Sequence, residues 1–178
     1  AELHASRLQA RQFLVANLLE LSRLQSGGVK LRCDWNDAEE LFGSAIGQRR
    51  RILSDREIRI DIPAGCALFW CDGLLVERVL VNLLDNAARH TPAGTPLRLW
   101  AESSGGHVRL GLDDEGPGFP SEQNVRDAGR GGIGLSLCRS IAKAHGGELT
   151  VQARPEGGSR VFLSLPADRV PPTDPSEA

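Results

Sequence analysis

The chain has 178 residues, 40% hydrophobic and 25% charged, enough to bury one globular core with a small appendage and too few for two full domains. Its formal net charge of −2, from 21 basic and 23 acidic residues, argues against a surface for nucleic acid, which is not expected as a partner. No apolar run reaches the roughly 18 to 20 residues that span a bilayer, and no signal peptide opens the chain, so the piece itself is expected to be soluble and cytoplasmic.

Glu2 to Gln25 lacks Pro and Gly, and Leu3, Ala10, Leu14, Leu18, Leu21 and Leu24 recur at helical spacing, which predicts one long amphipathic helix. Such a stripe needs other helices. A dimeric bundle of two helices from each chain would bury it, and capping of the globular domain is the alternative. Ser26-Gly27-Gly28 ends the helix as a hinge. Val29 to Trp35 reads as a short strand and residues 37–53 as a helix capped by Asn36 or Asp37. Ile58, Ile60 and Ile62 alternate with Arg59 and Asp61, the period of a half-buried strand, and Cys66 to Cys71 is a second apolar run. Asp72 caps a helix whose core stripe is Val76, Val79, Leu80, Leu83, Leu84 and Ala87. Strands at 97–101 and 108–112 flank the hairpin connection Ser103-Ser104-Gly105-Gly106. After a loop rich in Gly and charge, a helix at 133–144 closes on His145-Gly146-Gly147, and strands at 149–153 and 160–165 form a last hairpin. The tail, 167–178, with Pro171, Pro172 and Pro175, reads as disordered.

This order predicts an α/β (α+β) two-layer sandwich: a mixed sheet covered on one face by three helices, its other face open to solvent, with the long helix in front. The expected units are 1–26, the helix, 29–166, the globular domain, and the tail. Cys33, Cys66, Cys71 and Cys138 form no C-x-x-C pair and lack histidines at zinc spacing, so they read as reduced, partly buried hydrophobes. The chain has no methionine, as expected of a segment of a longer protein whose other parts would carry any membrane anchor.

Three motifs carry chemistry. At 100° per residue, Asn82, Asn86 and Arg89 lie within about 60° of one another beside the core stripe. Asn86 offers a neutral oxygen that suits Mg²⁺, and Arg89 a fixed cation for phosphates. Asp114 ends a strand before Gly116 and Gly118, where the backbone can approach a flat ligand. Its carboxylate can accept from the exocyclic amine of adenine; Asp113 and Glu115 are adjacent alternatives, and strand alternation sends Asp113 to the opposite face. Gly129, Gly131, Gly132 and Gly134 open an apolar helix whose N-terminal amides can hold phosphate oxygens.

Together these segments resemble the ATP-binding domain of sensor histidine kinases, in the superfamily shared with gyrase, a heat-shock chaperone and the mismatch-repair ATPases, over residues 9–166. Asn82 to Thr91 is similar to the N box, Asp114 to Gly118 to the G1 box and Gly131 to Gly134 to the G2 box. Residues 23–28, Trp35, Glu77-Arg78-Val79-Leu80 and residues 154–158 are similar to the Kdp-type potassium sensors of that family. The resemblance implies Asn86 as the Mg²⁺ ligand and Asn82, Arg89 and His90 at the phosphates in catalysis. It implies Asp114, Gly116 and Gly118 on adenine, and Gly131, Gly132 and Gly134, followed by Leu135, as the hinge of a lid over ATP. It makes 1–26 the second helix of the dimerisation hairpin. It further implies transfer of the γ-phosphoryl to a histidine and then to a response regulator receiver domain, in a homodimer whose parent protein sits in a bacterial inner membrane. Hydrolytic relatives carry a glutamate at the place of Asn82; an amide cannot serve as that base, which favours kinase over ATPase. The chain departs from the family in three ways. The phosphoacceptor motif is absent, His4 and His145 standing in other contexts. The stretch from Gly118 to Gly131 is short and lacks the Phe-x-x-Phe box, and Arg130 replaces a glycine. A nucleotide-insensitive docking module is the competing expectation.

Overall fold

The computed structural model describes residues 2–27, 29–118 and 132–169, with the backbone alone for 2–10 and 13. In chain order the elements are α1 (Glu2–Gln25), β1 (Asp34–Asp37), α2 (Ala38–Arg49), β2 (Ile58–Asp61), β3 (Leu68–Cys71), α3 (Gly73–His90), β4 (Leu97–Ser104), β5 (His107–Asp114), α4 (Gly132–Ala144), β6 (Glu148–Ala153) and β7 (Ser159–Pro166). A five-stranded sheet runs β2-β4-β5-β7-β6, with β2 parallel to β4 and every other neighbour antiparallel. It is the mixed sheet that the order of elements predicts.

Alternation sorts the sheet into two faces. Leu97, Leu99 and Ala101 of β4, Leu110 and Leu112 of β5 and Leu163 and Leu165 of β7 point inward. They meet Val76, Val79, Leu80, Leu83, Leu84 and Ala87 of α3 and Leu137, Cys138 and Ile141 of α4 in one core. Each such leucine contributes about 1.5–3 kcal/mol by leaving water. The α3 stripe is the expected one, and its start is fixed by Asp72, whose Oδ1 accepts the Leu75 N–H at 3.3 Å. Asp37 does the same for α2, accepting from the Glu40 N–H at 3.0 Å. α2 packs on α3, and α1 on α4.

Four expectations shift. The strand read at 29–35 forms at 34–37 and leaves the main sheet: β1 pairs antiparallel with β3 in a two-stranded ribbon, where Trp35 and Trp70 meet edge to face with centroids 5.6 Å apart. The helix read at 37–53 ends at Arg49, where the N–H groups of Arg50 and Ile52 bond three residues back, to the carbonyls of Gly47 and Arg49 at 3.4 and 3.0 Å, and tighten the chain into turns that still bring the Leu53 side chain into the core. On α1, Leu21 and Leu24 rest against the core, whereas Leu14 and Leu18 stay about half exposed, at 50% and 51%. The sheet's outer face is not bare: Trp100 and Phe162 lie on it, buried, with a gap for a Cβ at Gly111 closed by Trp100 at 2.5 Å. Arg160 stacks over Trp100 at 5.0 Å and Arg109 over Phe162 at 5.4 Å.

Of the tail, residues 167–169 are described: the Ala167 N–H donates to the Gly106 carbonyl at 2.8 Å, and Arg169 lies over Trp70 at 4.2 Å. Residues 170–178 fall outside the described ones. No helix among the described residues is long and apolar enough to cross a membrane.

Candidate functional site

The polar strip of α3 is graded along the helix. Asn82 is buried, 2% exposed; its Nδ2 donates to the Arg78 carbonyl at 2.8 Å, and its Oδ1 accepts from Asn17 Nδ2 of α1 at 2.9 Å. The first turn of α4 closes over the same oxygen, since a Cβ on Gly134 would stand 2.8 Å from it. One turn on, Asn86 is half-buried, and Arg89 and His90 are exposed. Asn86, Arg89 and His90 bond to no other side chain or backbone group among the described residues. Three of the four expected groups are therefore open to a ligand, and Asn82 is engaged by α1.

Asp113 and Asp114 part as the alternation requires. Asp113 faces the outer side of the sheet, where it accepts two bonds from Arg160, at 2.8 and 2.7 Å, and one from Trp100 Nε1 at 2.8 Å. Asp114 faces the helices and is 6% exposed. Its Oδ1 accepts the Gly116 N–H at 2.9 Å and the Ser159 N–H at 3.3 Å, and its Oδ2 bonds to nothing among the described residues. The carboxylate is thus fixed by one oxygen and free at the other.

The glycines beside it are required by contact. A Cβ on Gly116 would stand 2.7 Å from Thr91 Cγ2, and one on Gly158, whose φ is +87°, only 1.9 Å from the Asp114 carbonyl oxygen. Gly118 abuts the Gly158 carbonyl, and Arg154 Nη1 donates to the Asp114 carbonyl at 3.0 Å. Arg56 pins the far side: its guanidinium donates to Thr91 Oγ1 at 2.6 Å and to the carbonyls of Thr91, Ala88 and Thr95. The end of α3, the turn after β5 and the β6–β7 hairpin are therefore one assembly. Thr91, Gly158, Ser159, Arg56 and Asn17 had no functional role in the sequence reading. The signal for Ser159, with Gly158 before it, was its register opposite Asp114, which the hairpin pattern alone does not assign.

Of the glycine-rich segment, Gly132 opens α4, Gly134 faces Asn82 and Leu135 is buried in the core rather than lining a groove. Gly131, Arg130 and the short stretch expected as a lid lie outside the described residues. No acidic side chain occupies the first turn of α4, so its N-terminal amides and dipole suit an anion. An adenine nucleotide fits this donor set: a free carboxylate oxygen for an amine, a free amide oxygen for a hydrated cation, and the exposed Arg89 cation, the His90 ring and a helix N-terminus for phosphates. Among the described residues no cluster of His, Cys, Asp and Glu could hold a metal by itself. A Mg²⁺ ion here would take Asn86 plus water and phosphate oxygens, the usual habit of that ion.

Residues 71–169 match the family described as histidine kinase-, DNA gyrase B- and HSP90-like ATPases, and the chain belongs to that family. It is an ATP-binding domain of the histidine kinase kind. The chain is 39% identical over 170 residues to the sensor protein KdpD of Escherichia coli, covering 89% of this chain and 19% of KdpD. It is 38% identical over 176 residues to the adaptive-response sensory kinase SasA of Thermosynechococcus vestitus, covering 90% of this chain and 46% of SasA. The chain thus spans less than half the length of either. Among solved structures, the Acinetobacter baumannii histidine kinase AdeS shares the fold with a TM-score of 0.79 at 22% identity, over 93% of this chain and 82% of that one.

Proposed function

We propose that this chain binds Mg-ATP and presents its γ-phosphoryl group to a histidine outside the 178 residues, from which it passes to a response regulator receiver domain. The observation that carries the reading is the half-anchored carboxylate of Asp114. With Oδ1 held by two backbone N–H groups, Oδ2 can accept from the exocyclic amine of adenine. Guanine would set a carbonyl against it, and two acceptors repel.

In this reading Asn86 holds the metal, Arg89 and His90 meet the phosphates, and the α4 N-terminus supports them. Mg²⁺ supplies charge neutralisation of the triphosphate. The protein's part in phosphoryl transfer is positioning and electrostatics: as the bond from Pγ to the bridging oxygen breaks, a P–N bond forms to the acceptor imidazole and ADP leaves. Asn82 carries an amide, which cannot take a proton from water, so hydrolysis has no base at that position.

Leu14, Val15, Leu18 and Leu19, between 50% and 58% exposed, give α1 an apolar face away from the domain. That face supports a homodimer in the whole protein through a helical bundle. The identity with KdpD and the segments at 23–28 and 154–158 support a Kdp-type potassium sensor in a bacterial inner membrane, with this portion on the cytoplasmic side. A chimera carrying this chain in place of the matching segment of KdpD is expected to restore growth on limiting potassium.

Calorimetric titration tests the nucleotide reading directly. ATP should bind at micromolar to sub-millimolar concentration, more tightly with Mg²⁺ than without, and GTP should not compete. Equal binding of ATP and GTP, or no binding of either, refutes it.

A further inference from the structure

We propose that α1 gates the nucleotide site through the amide–amide hydrogen bond from Asn17 to Asn82. The proposal rests on the nucleotide reading above and adds a regulated residue to it. Asn17 is the one fully buried side chain described on α1, at 2% exposure, between leucines that stay half exposed. A helix that docked only for area would bury a leucine there. A buried amide without a partner is costly, so Asn17 holds α1 in the one rotation that supplies its partner, as a buried asparagine fixes register in a helical bundle.

Its partner is the amide that an N-box helix would turn to the phosphates. In the docked arrangement both ends of that amide are in use: Nδ2 donates to the Arg78 carbonyl and Oδ1 accepts from Asn17, with Gly134 of α4 closing over the oxygen. A second anchor lies one turn along α1, where Glu20 pairs with Arg78 at 3.4 Å, the residue whose carbonyl holds Asn82. Asn17, Glu20, Leu21 and Leu24 share one side of α1, Val15 and Leu19 lie on the opposite side, and the half-exposed Leu14 and Leu18 flank the two. A rotation of α1 imposed on its apolar side therefore withdraws Asn17 and frees the Asn82 oxygen. Docking of α1 and capture of that oxygen by the nucleotide or its hydrated metal exclude each other, so each weakens the other by the same factor.

The test uses the 178-residue chain with ATP and Mg²⁺ as the probe. Asn17→Ala removes the clamp and should tighten ATP binding about tenfold, the worth of one hydrogen bond to a buried amide. Glu20→Gln, which leaves Asn82 bonded, should tighten it about two- to threefold, as for a partly exposed pair. Hydrogen exchange gives a second reading: saturating ATP should speed exchange of the α1 amides in the wild type and change little in Asn17→Ala, where α1 is already loose. If Asn17→Ala loses its cooperative melting transition, Glu20→Gln and the exchange experiment on the wild type decide. Equal ATP affinity in wild type and variants, with α1 exchange indifferent to ATP, overturns the gate and leaves the nucleotide site standing. Weaker binding by Asn17→Ala also overturns it, since Asn17 would then support the site. No ATP binding by any form removes the nucleotide reading and the gate together.

Discussion

Two substitutions at Asp114 separate recognition from architecture. Asp114→Asn keeps an Oδ1 acceptor for the N–H groups of Gly116 and Ser159, which lie at 2.9 and 3.3 Å, and replaces the free Oδ2 by an NH₂ group. The anchoring bonds survive, so stability should fall by less than about 1 kcal/mol, the scale of one weakened hydrogen bond. The ligand side changes sign, because a donor now faces the donor of the adenine amine. Loss of a hydrogen bond to a charged acceptor is worth about 1.5–3 kcal/mol, which corresponds to ATP affinity about 10- to 150-fold weaker. Asp114→Ala removes both oxygens and leaves two backbone donors without a partner beside a carboxylate only 6% exposed. It should lose about 2–6 kcal/mol of stability, at about 1–3 kcal/mol for each of the two orphaned groups, in addition to ATP binding. Calorimetry with ATP and urea unfolding of both variants supply the four numbers. If Asp114→Asn binds ATP as the wild type does, or if it is destabilised as much as Asp114→Ala, then Oδ2 does not face the base and the reasoning fails.

Asp113→Ala should show the opposite pattern. It strips a carboxylate that is 1% exposed from Arg160 and Trp100, which should cost about 2–4 kcal/mol after allowing for partial rehydration of the arginine. ATP affinity of the folded variant should be unchanged, since Asp113 lies on the outer face; loss of binding below the melting transition would place it in the site. Gly158→Ala sets a methyl group 1.9 Å from the Asp114 carbonyl oxygen at a φ of +87° and must push the β6–β7 hairpin off the end of β5. Both stability and ATP affinity should drop, with thermal unfolding and titration as the readouts, and a wild-type value in either assay would show that the hairpin tolerates the shift. Burial pushes the thiols of Cys71 and Cys138 up to about 12 from an ordinary 9.0. Their folded values are raised, so the stability they contribute is complete below about pH 9 and is lost as the pH climbs toward 12, each thiol costing about 1.4 kcal/mol per pH unit in that window. Urea midpoints should therefore slide above pH about 9, and Cys138→Ala should reduce the slope; an identical slope would assign the alkaline loss to other groups.

Much of the fold is written locally. The stripe from Val76 to Ala87 needs only a period of 3.6 and the Asp72 cap to define α3, and the split between Asp113 and Asp114 needs only the period of a strand. The β1–β3 ribbon is different in kind. Trp35 and Trp70 pair across an intervening helix and strand, and nothing in residues 29–35 alone says that their partner is β3 rather than the main sheet. The turn at Arg49 to Leu53 was likewise hidden, because Leu53 continues a helical pattern while Arg50 and Ile52 bond only three residues back. Arg56 sits in a run of charge, where the ordinary expectation is a solvated side chain; only the carbonyls gathered at the end of α3 turn it inward.

The same distinction runs through the site. Asn86, Arg89, His90 and Asp114 are legible because each stands on the element that presents it, at a spacing the sequence displays. Asn82 has that spacing too, yet its surroundings come from Asn17, 65 residues earlier, and from Gly134 on α4. Helical geometry assigns Asn82 an azimuth on α3 but not the helices that pack over it. An apolar stripe on α1 predicts that something must be buried, and it overlooks a polar residue inside the buried side, because amphipathic patterns weigh area and leave out hydrogen bonds. The pairing of two amides across α1 and α3 is therefore a property of assembly: it exists when the helices dock in one rotation, and it vanishes when they do not. That dependence is what makes the availability of Asn82 sensitive to the position of α1, whereas Asp114, held by the backbone N–H groups of Gly116 in the turn after β5 and of Ser159 in β7, keeps its place whether α1 is docked or free.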